Sequence, residues 1–344
     1  MRSMTMVALI TRGRAALARY TKAPGDRRRS DGTVNTAEVV TVQHLVKRYG
    51  NVLVVNDVSF SIREGEIFGI IGPNGAGKTT TVECISGLRA PNSGSISVYG
   101  LSPQKDRNKV REVVGVQLQE SALPPRLRVG EAVRLFASFY SNPLDPDELL
   151  ESLGIKQCEN SVFKSLSGGQ KQRLSIALAL VGNPKLAILD ELTTGLDPEA
   201  RRETWSLIER MRDRGVTVIL VTHFMDEAEK LCDRLALINH GTVRALDTPE
   251  AIAAQAGGSR VRFISSRPVD ELTLRAIPGV NAIERKQRYV TVTGTGNLAP
   301  AVINALAAIG VRVSDVEAQA GNLEDAFLKL TKDDASLNSG GIET

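Results

Sequence analysis

The chain has 344 residues, room for about two domains of ordinary size, and its 42% hydrophobic content suffices for ordinary cores. No apolar run approaches the roughly 18–20 residues needed to span a bilayer, since the best, LSIALALVGNPKLAIL, is broken by Asn183, Pro184 and Lys185. The net charge of +4 is uneven: residues 1–37 hold eight basic side chains against Asp26 and Asp31, so the remainder is net −2 and offers no footprint for nucleic acid.

Residues 1–37 read as a basic, disordered leader, because MTMVALI is too short for a secretory core and Arg12 and Arg14 follow it at once. A juxtamembrane anchor drawn to anionic lipid is the alternative. The first segment that carries chemistry is GPNGAGKTT, made of Gly72, Pro73, Asn74, Gly75, Ala76, Gly77, Lys78, Thr79 and Thr80. It fits G-x-x-x-x-G-K-[ST], follows the apolar run Ile67 to Ile71 and precedes a helical pattern, which makes it a strand–loop–helix phosphate cradle. The glycines let backbone N–H groups turn inward around phosphate oxygens, Lys78 reaches the β/γ-phosphates, and Thr79 can hold Mg²⁺.

From Gln119 to Leu166 the pattern turns helical, with VGEAVRLFASFY and PDELLESLGI both at 3.6-residue spacing. LSGGQ then opens another helix, with Ser167 as its cap and Gly168, Gly169 and Gln170 in its first turn. Such a helix start is a second anion site. A chain that already owns a phosphate loop would offer it to ATP held by another copy.

Four apolar residues, Leu186 to Leu189, predict a buried parallel strand that delivers Asp190 and Glu191 to the phosphate site. Asp190 is the candidate metal ligand, and Glu191 the candidate base or water-orienting group for attack on the γ-phosphate. DPEARRETWSLIERMRDRG predicts a helix capped by Asp197 and stopped at Gly215, with Trp205 in its packing pattern. VTVILVTH, ending at His223, predicts the next core strand. Cys84, Cys158 and Cys232 lack metal-ligand spacing and read as free thiols, and His44 and His240 have no partner motif.

Together these motifs resemble the nucleotide-binding subunits of ATP-binding cassette (ABC) transporters over about Val39 to Val243. The resemblance implies Tyr49 as the adenine-stacking aromatic and Gln119, rather than Gln117, as the residue sensing Mg²⁺, water and the membrane partner. It further implies Asp197 as a residue across the dimer and His223 as the switch histidine at the γ-phosphate. One departure stands out. The family commonly has proline after the glutamate, where this chain has Leu192, and proline would stiffen that turn.

After about residue 256 the pattern reads strand (260–265), helix (269–277), strand (282–286), strand (289–293), helix (298–308), strand (312–317) and a closing helix NLEDAFLKLT. That βαββαβ order is ferredoxin-like. It carries no evident catalytic set and resembles the carboxy-terminal extension of daunorubicin-resistance-type export ATPases.

The expected fold is α/β: a P-loop ABC ATPase core over 38–255 with a helical subdomain at about 120–180, a small α+β ferredoxin-like domain over 256–332, and a disordered tail over 333–344. The expected function is that of an ATP- and Mg²⁺-dependent subunit of an ABC exporter. It would work as a homodimer beneath separate transmembrane permease subunits, peripheral to the cytoplasmic face of the membrane. An importer ATPase, or a soluble ABC ATPase unconnected to transport, is the alternative.

Overall fold

The computed structural model describes residues 37–117, 123–255, 259–286, 288–294, 298–319 and 322–337. The expected leader, apart from Ala37, lies outside the described residues, as do Gln119 and the last seven residues of the tail. The chain divides into two compact units at Val243/Arg244.

The first unit opens with two long strands, β1 (Glu38–Tyr49) and β2 (Val52–Arg63), paired antiparallel. Next come β3 (Ile67–Ile71), α1 (Lys78–Ile85), β4 (Ser93–Val98), α2 (Arg107–Val113) and β5 (Val114–Gln117). A mainly helical stretch follows: α3 (Val129–Ala137), α4 (Pro146–Ser152) and α5 (Gly168–Leu180). The chain then returns to the sheet through β6 (Leu186–Asp190), α6 (Pro198–Asp213), β7 (Thr217–Thr222), α7 (Met225–Leu231) and β8 (Arg234–Asn239).

Two sheets share one core. Strands β2, β1 and β4 form the antiparallel one; β5, β6, β7, β3 and β8 lie side by side in the other, all parallel. Every residue of β3, β6 and β7 is buried, as parallel strands covered on both faces require. The register sets Ile71 beside Thr222 and Asp190 beside Val221, so these three strands end at the same level. Outside the carboxyl ends of such strands is where open α/β sheets bind ligands.

In the helical stretch, α3, α4 and α5 pack on one another. Arg134 and Lys156 add to this by bridging Asp147 and Glu159, with Arg134–Glu159 at 2.8 Å and Lys156–Asp147 at 2.7 Å. Leu149, Leu150 and Ile155 are among the buried apolar side chains of this stretch.

The second unit begins within β9 (Thr242–Asp247) and runs through α8 (Pro249–Gln255), β10 (Ser259–Ser265), α9 (Glu271–Arg275), β11 (Val280–Lys286) and β12 (Tyr289–Gly294). It ends with α10 (Leu298–Ala308), β13 (Val313–Gln319) and α11 (Leu323–Leu337). Its sheet is antiparallel in the order β11-β12-β10-β13, over a core of Val261, Phe263, Leu274, Val292, Val302 and Leu306. From β10 onward this is the βαββαβ succession.

Strand limits in the second unit differ by one or two residues from the sequence reading, and three further differences have a physical reason. The division falls at Val243/Arg244 and not at 255/256, because α8 packs on α11 and so belongs with the second unit. Helix α9 is shorter than 269–277, held between Asp270 at its cap and Pro278 just beyond its end. Helix α11 continues to Leu337, five residues into the tail expected to be disordered, since no glycine or proline interrupts that stretch.

Candidate active site

The loop from β3 to α1 is shaped by backbone that only glycine tolerates. Gly75 and Gly77 have φ of 79° and 98°. A Cβ on Gly72 would lie 2.1 Å from the Ile238 carbonyl oxygen, and one on Gly77 would lie 2.5 Å from that of Val54. Asn74 and Gly75 are exposed at the tip, whereas Ala76, Gly77 and Lys78 are buried. Lys78 curls back under the loop, its ammonium donating to the carbonyls of Gly72 at 2.9 Å and Pro73 at 3.0 Å. Burial lowers its pKa, and the nearby Glu191 and Asp190 carboxylates work the other way. A buried cation held at the loop is suited to receive an anion.

Asp190 closes β6 with no solvent exposure, and neither carboxylate oxygen has a hydrogen-bond partner. Burial pushes its pKa up to about 6; the nearby Thr79 hydroxyl opposes this without completing a hydrogen bond. A fully buried, unpartnered carboxylate beside a hydroxyl suits a hard cation that also takes oxygens from a phosphate ligand. No cluster of three or more His, Cys, Asp or Glu side chains suited to a metal occurs among the described residues. A site that draws most of its donors from phosphate and water needs none.

Glu191 follows in the left-handed region, φ 50°, a conformation a non-glycine residue holds only when its surroundings impose it. Its N–H donates to the Val221 carbonyl at 2.9 Å, and its Oε1 lies 3.3 Å from His223 Nδ1. Leu192, in the place of the family's proline, is fully buried.

The structure thus brings Lys78, Thr79, Asp190, Glu191 and His223 together at the ends of three adjacent strands. Ser167 to Gln170 and Asp197 are brought together elsewhere. Ser167 caps α5 by accepting from Gln170 N at 3.3 Å, while Gln170 Oε1 accepts from Ser167 N at 2.9 Å. Asp197 caps α6 by accepting from the N–H groups of Glu199 and Ala200 at 3.0 and 2.9 Å. Both caps line one cleft with Gly195, Arg173 and Glu203, and no residue of the phosphate loop lines it. Tyr49 ends β1, the residue 40% exposed, with the cations of Lys47 and Arg89 5.3 and 5.4 Å from its ring centre.

The sequence reading missed two features of the site. Buried Gln117 accepts a hydrogen bond from Asp190 N at 3.2 Å, so the glutamine passed over in favour of Gln119 ties the end of β5 to the metal-ligand candidate. Trp205, read as packing, donates its indole N–H to the fully buried Glu227 at 3.0 Å. Neither partner is close in sequence, so no local pattern could have revealed them.

Known proteins resemble the chain over most of its length. The linearmycin resistance ATP-binding protein LnrL of Bacillus subtilis is 31% identical over 305 residues, 85% of this chain and 98% of that protein. The chain belongs to the ABC transporter ATP-binding family. The family profile, ABC transporter, matches residues 55–194. Nod factor export ATP-binding protein I of Burkholderia pseudomallei is 38% identical over 85% of this chain and 96% of its own length. Among solved structures, cbiO1 from Clostridium perfringens, part of an ABC transporter complex, superposes with a TM-score of 0.57 at 30% identity, covering 63% of this chain and 91% of that one. A bacterial ABC transporter cassette solved as a dimer gives 0.55 at 27% identity, covering 61% of this chain and 98% of its own. This ABC subunit binds and hydrolyses ATP.

Proposed function

We propose that this ABC subunit hydrolyses Mg²⁺-ATP as one of two identical cassettes and drives export through separate transmembrane subunits at the cytoplasmic face of a membrane. The observation that carries the catalytic reading is the convergence of Lys78, the unpartnered Asp190 carboxylate and the Glu191–His223 pair at one level of the sheet.

In this reading the loop from Gly72 to Thr80 wraps the phosphates, and Lys78 exchanges its two carbonyl partners for phosphate oxygens. Thr79 and Asp190 would hold Mg²⁺, which would neutralise phosphate charge. Glu191 orients the attacking water and accepts its proton, and His223, 3.3 Å away, keeps that carboxylate in place. Tyr49 stacks on the adenine, its exposed ring available for the purpose. Ser167 to Gln170, with Asp197, complete the site of the partner cassette, in keeping with a cleft that lacks the chain's own phosphate loop. Gln119 keeps the sensing role that the resemblance implies, outside the described residues.

A groove lined by Leu88, Arg107, Arg111, Glu112, Phe139 and Tyr140 supports docking to a membrane subunit. Leu88 and Phe139 are 52% and 65% exposed there, an apolar seat with charged margins. No described helix is long and apolar enough to cross a membrane, which fits a pore supplied by other chains. Export is favoured over import because LnrL is named for resistance and the Nod factor protein for export.

Glu191→Gln tests the catalytic reading. The substitution keeps the shape and removes the base, so ATP turnover should fall by about two to four orders of magnitude. Nucleotide affinity should persist, and ATP should trap a dimer in size-exclusion chromatography. Hydrolysis close to the parent rate would overturn the role given to Glu191.

A further inference from the structure

We infer that Arg201 is a positioning residue for His223, holding the loop that carries it and tying that loop to the helix that begins at Asp197. This rests on the reading of His223 as the partner of Glu191 in hydrolysis.

His223 and Phe224 connect β7 to α7 with little local support. Helix α7 has no side-chain cap, and Phe224 N donates to Thr222 Oγ1 at 3.0 Å across the turn. The His223 side chain is one-third exposed, and its bond to Glu191 is at the long end of the range. What flanks the imidazole is the Phe224 ring, 4.2 Å away between centroids. Phe224 is in turn covered by the Arg201 guanidinium at 4.3 Å, while Arg201 Nη1 reaches Asp226 at 3.4 Å. One planar cation therefore holds the residues one and three positions beyond His223.

Arg201 has help from the next turn of α6. Trp205, four residues on and so on the same face, binds Glu227 at 3.0 Å. The pair fixes α7 against α6 at two successive turns. At the N-terminus of α6, Asp197 sits one turn before Arg201, in the cleft shared with Ser167 to Gln170. A helix moves as a rigid body over so short a distance, so a ligand or partner that displaces Asp197 also displaces the platform under His223. Stacking needs a flat guanidinium face, which lysine does not have.

The test is single-turnover ATP hydrolysis by the full-length chain carrying Arg201→Ala, Arg201→Lys, His223→Ala, or Arg201→Ala with His223→Ala. Phe224→Leu, which removes the ring and keeps the bulk, is a second route to the same platform. Thermal melting checks folding throughout. Arg201→Ala and Phe224→Leu should each lower the hydrolysis rate about tenfold and leave ATP affinity within about twofold. Arg201→Lys should recover little of the loss. In the His223→Ala background, Arg201→Ala should cost less than about twofold more, because it acts through the missing imidazole. Additive losses in the double variant, or a normal rate for both Arg201→Ala and Phe224→Leu beside an impaired His223→Ala, would overturn the inference. Normal hydrolysis by His223→Ala would remove the reading on which it rests.

Discussion

Asp190 and Glu191 are adjacent carboxylates with opposite surroundings. The first ends a fully buried strand with both oxygens unpartnered; the second turns through a left-handed backbone toward His223. One sequence step thus separates the proposed cation ligand from the proposed proton acceptor. The glycines of the facing loop are equally distinct. At Gly72 the obstacle is a carbonyl oxygen 2.1 Å from the missing Cβ, backbone that cannot step aside. Gly72→Ala should therefore destabilise the fold by more than about 3 kcal/mol and abolish ATP binding. Gly75 has open space around it and a φ of 79°, so Gly75→Ala bears only the conformational penalty of about 1–2 kcal/mol. Urea unfolding of the two variants should separate them by at least about 1 kcal/mol, and equal losses would contradict the steric account.

At the scale of elements, the thiols are packed as apolar groups in three separate places: in α1, in the helical stretch and just after α7. Cys84, Cys158 and Cys232 are all buried and free. The Cys84 thiol, ordinarily ionising near 9, is pushed up to about 11 by burial; Cys232 is raised as well, again by burial. Between these values an unfolded chain has released the Cys84 proton and the folded chain has kept it. Stability should therefore fall as pH rises from about 9 to 11, by about 2–3 kcal/mol for Cys84. Cys84→Ala should flatten that decline, whatever its effect at neutral pH. An unchanged slope in urea titrations across this window would show that the thiol does not ionise on unfolding.

The elements themselves were legible where their signal is local. Glycine spacing, a run of apolar residues and a serine ahead of a helical pattern announced the phosphate loop, β6 and the cap of α5, because each depends on neighbours within one or two turns. The links from Gln117 to Asp190 and from α6 to the His223 loop were not legible. They depend on how separate elements meet, and nothing in a segment such as PEARRETW distinguishes an arginine on a ring from one in solvent. The end of the first unit was misplaced for the same reason. Helix α8 has no composition of its own that assigns it to the second unit; its packing on α11 does.

At the scale of the whole molecule, each unit has its own sheet and its own apolar core. All the residues proposed to touch nucleotide lie in the first, and the second contributes a four-stranded antiparallel sheet with no role in the proposed chemistry. On the proposed reading, the cleft of Ser167 and Asp197, lined by no residue of the loop at Gly72 to Thr80, leaves a single copy with only half of a working site. Its kinetics should betray this. Below the dissociation constant of the pair, hydrolysis should grow with the square of protein concentration, and activity per milligram should fall on dilution and return on concentration. A rate strictly proportional to protein down to nanomolar levels would mean that one copy suffices. Where the square law holds, the number of chains gathered at one patch of membrane becomes itself a control on turnover.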